Sequence, residues 1–169
     1  MEQGIPNSIK LFKFASKSLI FSQRYKVEDF PRISALSNNQ KDWVDVKLSF
    51  SLENRIPCIE GEVKLNMALT CQRCLDEINI HLNPKFKLGF IKNEQQGESL
   101  DDSFEIILNA DEEFSTIEFI TDEVLISTPM TPMHDYECAS YQDKIPLQEL
   151  KRENPFAILK QLKTQTRSK

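Results

Sequence analysis

Val44-Asp-Val-Lys-Leu-Ser-Phe-Ser-Leu52 alternates apolar and polar residues without a break, and Gly61-Glu-Val-Lys-Leu-Asn-Met-Ala-Leu-Thr-Cys71 resumes the pattern a few residues on. A period of two belongs to a strand with one buried face. Working outward, Ile59, Val63, Leu65, Met67, Leu69 and Cys71 share one phase, interrupted only by Gly61. A third run holds Ile78, Ile80, Leu82, Phe86, Leu88 and Phe90 in phase, with Pro84 marking an edge or a bulge. Residues 53–58 then connect the first two runs and the turn from Cys71 to Glu77 the next two, which predicts an antiparallel meander.

The polar stretch 93–103 reads as a mobile loop and Phe104 to Leu108 as a short strand. Ser115 and Glu118 have the spacing of a capping box, so a helix should begin at Thr116. Its Ile117, Ile120 and Val124 share one face, Glu118, Asp122 and Glu123 lie largely on another, and Pro129 closes it. The stretch from Pro129 to Asp135 is too rich in proline for helix or central strand and should cross the surface as a loop. Ser8 to Phe14 reads as a strand, and Val27 to Leu36 as a short helix bent at Pro31. Near the far end, Asn154-Pro155 has the arrangement that starts a helix, with Phe156, Leu159 and Leu162 forming an apolar stripe beside Lys160 and Lys163. A helix of about ten residues needs something to dock on. The expected fold is α+β: an antiparallel sheet meander with a few packed helices in a single domain over residues 1–150, then a basic C-terminal helix or tail over 151–169.

A chain of 169 residues with 40% hydrophobic content and eleven phenylalanines can bury a sizeable core. It has no apolar run long enough for a membrane helix and no secretory leader, which places it in the cytoplasm. The net charge of -5 is unevenly spread. Residues 1–41 carry +4, 42–93 are neutral, 94–149 carry -14 and 150–169 carry +5. Charge runs usually mark solvated surface, yet the basic ends could meet phosphates while the acidic middle meets a basic protein.

Cys71-Gln-Arg-Cys74 lies between two strands, where a turn can aim two thiolates at one point. His134 and Cys138, four residues apart beyond the acidic helix, could complete a zinc site of three thiolates and one imidazole. Reduced, buried cysteines without a metal are the competing reading, slightly ahead on the residues alone. A thioredoxin-like role fits less well, because that motif opens a helix after a strand. Cys58 reads as an isolated thiol near a turn. With four glycines there is no phosphate-cradling loop, no nucleophile elbow or His-Glu-x-x-His occurs, and two histidines leave little for general-base chemistry.

Four blocks carry a resemblance. Gly61 through Thr70 running into Cys71-Gln-Arg-Cys74-Leu75, then Thr121-Asp-Glu-Val-Leu-Ile, then Pro129-Met-Thr-Pro-Met-His134, and finally Asn154-Pro-Phe-Ala-Ile-Leu-Lys160-Gln-Leu-Lys163 resemble, in order, the large ribosomal RNA subunit accumulation protein family, YceD. The resemblance implies a bacterial cytoplasmic protein needed for synthesis, processing or stability of 23S rRNA, with no established catalysis. It also implies that some relatives carry a second Cys-x-x-Cys near His134 and Cys138, so a zinc site here would arise by substitution. The expectation is a non-enzymatic factor that binds large-subunit rRNA or its precursor, or a basic ribosomal or maturation protein. Its candidate contacts are Arg73, exposed in the turn, and Lys151, Arg152, Lys160, Lys163 and Arg167. The alternatives are a zinc- or thiol-dependent enzyme of RNA maturation and a generic zinc-stabilised interaction domain.

Overall fold

The computed structural model describes residues 4–39, 41–108 and 112–138. In chain order the elements are β1 (Ser8–Lys10), α1 (Leu11–Ala15), β2 (Ile20–Lys26), a 3-10 turn (Val27–Asp29), α2 (Pro31–Leu36), β3 (Trp43–Glu53) and β4 (Ile56–Thr70). These are followed by β5 (Glu77–Leu82), β6 (Lys85–Ile91), α3 (Glu94–Gly97), β7 (Glu105–Leu108), β8 (Glu113–Ser115) and α4 (Thr116–Ser127). The main sheet runs β2-β3-β4-β6-β7, with β5 also paired to β4, and β1 and β8 form a separate two-stranded ribbon. The architecture is the expected α+β fold on an antiparallel meander, with β7 added in parallel to β6.

The alternation sets the register. Val44 pairs with Leu65, Val46 with Val63 and Phe50 with Ile59, all at most 2% exposed, so one face of the β3–β4 hairpin is the floor of the core. Burying such side chains contributes roughly 1.5–3 kcal/mol each. The connection is tighter than the sequence suggested. It is the pair Asn54-Arg55, both at positive φ (51° and 69°), the geometry a two-residue hairpin turn requires. Cys58 consequently lies inside β4 opposite Gly89, on the outer face, where it packs with Ile56 and Ile91 in a small second core.

The third run is two strands. Pro84 has no N–H to offer the ladder, so the chain breaks there and β4 is flanked by β6 along residues 58–62 and by β5 along 65–70. Val63 N–H donates to the Pro84 carbonyl at 3.0 Å, which keeps the break paired. Gly61 is a packing device at this point. A Cβ on it would land in the Phe86 ring, so the aromatic lies over the strand in the space the missing side chain leaves.

α4 begins where the capping box predicts, with the Ser115 hydroxyl accepting from Glu118 N–H, and lays Ile120 and Val124, both fully buried, on the sheet. Ser8 to Phe14 is a correction: only Ser8–Lys10 is strand, and α1 follows at once with Leu11, Phe14 and Ala15 buried. Phe14 meets Phe21 and Phe50 at ring-centroid distances of 5.3 and 5.4 Å, so helix-spaced burial prevails over the extended pattern. The polar stretch 93–103 contains the helical turn α3, opened by the Asn93 side chain accepting from Gln96 N–H. The expected helix from Asn154 and the bases Lys151, Arg152, Lys160, Lys163 and Arg167 lie outside the described residues. No helix among the described residues is long and apolar enough to cross a membrane.

Candidate metal centre

β4 delivers Cys71 at its buried end, and the chain reverses before β5 through a tight knuckle. Cys71 N–H donates to Asp76 O at 2.9 Å, and Leu75 N–H donates back to Cys71 O at 3.0 Å. Leu75 sits at φ 65°, the left-handed conformation that closes the turn. The segment after α4 returns over this knuckle as the expected loop, anchored by Gln72 N–H to Pro132 O at 2.8 Å. Arg73 holds the rest of the loop: Nε donates to Cys138 Sγ at 2.9 Å, and Nη2 to His134 O at 2.9 Å and Tyr136 O at 2.6 Å. The residue expected to project freely from the turn is therefore half-buried and engaged with the loop.

These two segments bring Cys71, Cys74, His134 and Cys138 together, with all four ligand atoms within 4.8 Å of one another. Cys71 Sγ lies 3.8 Å from Cys138 Sγ, and Cys74 Sγ lies 3.5 Å from His134 Nδ1. Tetrahedral zinc with bonds of about 2.3 Å to sulfur and about 2.05 Å to nitrogen separates its ligands by about 3.8 Å (S to S) and about 3.5 Å (S to N). The donor types suit the ion, and these two of the six separations match a tetrahedron, with the others within 4.8 Å. The three thiols are buried, and none of the four cysteines is in a disulfide.

The electrostatics favour the thiolate at Cys71 and Cys138. Burial pushes the Cys71 thiol up, but hydrogen bonds from the backbone of Cys74, Arg73 and His134 outweigh it and bring the group down to about 5. Cys138 is likewise opposed by burial yet held below the usual thiol range by His134 and Arg73. The His134 imidazole is raised, chiefly by Cys138. Cys74 takes a lowering bond from the Asp76 backbone, but burial and the neighbouring sulfurs leave it at about 11, so charge within the cluster is shared unevenly. His134 Nε2 lies 3.2 Å from the Glu77 carbonyl. Donating there assigns the proton to Nε2 and leaves Nδ1 free as a ligand, the usual outer support of a metal-bound imidazole. His134 also lies against Tyr136, with ring centroids 4.8 Å apart.

Sequence reasoning named the four candidate ligands and missed what orients them. The Glu77 carbonyl and the Arg73 fork leave no pattern in composition or spacing, because each acts through tertiary placement. Cys58 stays outside the cluster, its thiol pushed up to about 11 by burial.

Comparison with known proteins bears on the same segment. The family model described as "Large ribosomal RNA subunit accumulation protein YceD" matches residues 59–163, a span that holds all four candidate ligands. The chain is similar, at 28% identity over 167 residues, to the Large ribosomal RNA subunit accumulation protein YceD of Haemophilus influenzae, covering 94% of this chain and 96% of that one. No solved structure matches the chain.

Proposed function

The chain belongs to the YceD family of large ribosomal RNA subunit accumulation proteins, and from that membership we propose that it supports accumulation of 23S rRNA in the cytoplasm by binding rather than by catalysis. The observation that carries the reading is the single family block from 59 to 163, which takes in the knuckle, the loop and the bases Lys151, Arg152, Lys160 and Lys163. Cys71, Cys74, His134 Nδ1 and Cys138 would hold zinc, whose contribution is to neutralise the thiolates and cross-link two distant chain segments. Four protein ligands leave no open coordination position, the arrangement of a structural and not a catalytic ion. The centre then pins the loop to the sheet, Arg73 positions Cys138 and the loop, and phosphate contact falls to Lys151, Arg152, Lys160, Lys163 and Arg167.

Two measurements test this. Protein purified without a metal-affinity tag should carry one zinc per chain, lost in Cys71→Ser. Cells lacking the protein should hold less 23S rRNA, and the protein should co-sediment with large-subunit precursors in a ribonuclease-sensitive manner. Unchanged 23S rRNA levels would remove the reading. Co-sedimentation that survives ribonuclease would move the contact from RNA to a basic protein drawn to the acidic stretch.

A further inference from the structure

α4 covers only part of the sheet. Among the described residues, a groove of about 330 Å3 is left open beside it, towards the β7 edge, floored by Leu88, Phe90 and Ile107 and walled by Phe114 and Phe119. Asp122 and Glu123 of α4 line it. Glu105 pairs with Leu88 and Ile107 with Phe90, so Glu105 stands on the same face as the groove floor. The groove is thus an apolar trough with carboxylates on its rim. Asp122 is bonded to Arg32 at 2.6 Å, while no described cation pairs with Glu123 or Glu105. Burial, then Glu105 and Asp122, hold the Glu123 carboxyl above its ordinary range. A cation at this spot would relieve that cost.

The same chain contains a segment of the complementary pattern. In a helix from Asn154, Phe156, Leu159 and Leu162 form a stripe, and turns of 100° put Lys163 between Phe156 and Leu159 and Lys160 about 40° from Phe156. Apolar stripe and ammonium groups fall on one side, as apolar floor and carboxylates do in the groove. Reach is no obstacle. Residues 139–153 can span about 50 Å when extended, and a body of this size has a radius of gyration of about 14 Å. Such a tether sets an effective concentration in the millimolar range, so even a weak contact is populated.

We propose that the groove between α4 and the β6–β7 edge is the resting seat of residues 154–163 of the same chain, with Phe156 and Leu159 on the aromatic floor and Lys160 and Lys163 on the rim acids. This goes beyond the binding role above, and makes rRNA phosphates and the rim carboxylates competitors for the same two lysines.

Zero-length carbodiimide cross-linking of the full chain, mixed from 14N- and 15N-labelled protein and read by mass spectrometry, tests the seat. The expected products join Lys160 or Lys163 to Glu105, Asp122 or Glu123 within one isotopic species. Their yield should fall about tenfold or more when Phe156→Ser and Leu159→Ser are combined, changes that alter no described core residue. Mixed-isotope products, links to other acids such as Asp135 or Glu137, or no links from these lysines would each overturn the proposal. A full chain that fails to bind RNA would end the phosphate reading and leave the cross-links as expected, so the two fail separately.

Discussion

Leu75 holds a left-handed conformation that L side chains rarely adopt. A branched side chain at φ 65° is disfavoured by roughly 1–2 kcal/mol, and Leu75 recovers little by burial because it is 57% exposed. Glycine would relieve that strain at an entropic cost of about 0.5–1 kcal/mol, so Leu75→Gly should stabilise the protein by up to about 1 kcal/mol in thermal melts. A loss of stability would show that Leu75 packs more firmly than its exposure indicates. Arg73 is the opposite case, with every observed side-chain bond spent on the loop. Arg73→Ala keeps all four candidate ligands and removes the outer hydrogen bond to Cys138 and the hold on the loop, a kind of change for which losses of about 10–100-fold in metal affinity are typical. Competition against a chromophoric chelator reads that loss, and an unchanged affinity would make Arg73 a bystander. Gly61 was legible only as an interruption of the alternation; its reason, the Phe86 ring, comes from a strand 25 residues later.

Among elements, those written in local chemistry were readable and those set by tertiary contact were not. The capping box located α4 to the residue, and the period of two located β3 and β4. β2, with a burial pattern that mixes exposed and half-buried positions, gave no clear alternation and shows itself only by pairing with β3 from Ile20 to Lys26. The four candidate ligands were legible as types and spacings, while their convergence depends on the loop after α4 folding back across the knuckle. That loop leans on few apolar contacts: Met130 is 97% exposed and Met133 and Tyr136 more than half. Removing metal should therefore release residues 128–138 and leave the β3–β4 hairpin in place. Amide exchange after chelation should rise in the loop while Val46, Leu48, Val63 and Leu65 stay protected; exchange across the whole sheet would make the centre essential to the global fold. Acid should act in the same direction. Zinc binds thiolates and neutral imidazole, so falling pH returns protons to the ligands and releases the ion, helped at His134 by an imidazole already raised by Cys138.

Over the whole molecule, charge is segregated along the chain, with -14 on residues 94–149 against +5 on 150–169. An acidic middle repels phosphate, so any direct affinity for rRNA must arise at the basic ends and must work against the remainder. Each neutralised phosphate on a single strand contributes a log-log salt slope of about -0.7, so five tail bases account for about -3.5. Replacing Lys151, Arg152, Lys160, Lys163 and Arg167 by glutamine should flatten the measured slope by that amount and weaken binding at low salt far more than at high salt. The substitution alters no described residue of the sheet and none of the four candidate ligands, so zinc content should stay as it was. A steep slope that survives it would transfer the contact to the basic stretch 1–41. A flat slope in the unaltered chain would mean that the protein reaches the large subunit through a protein surface, with its acidic stretch as the attracting face.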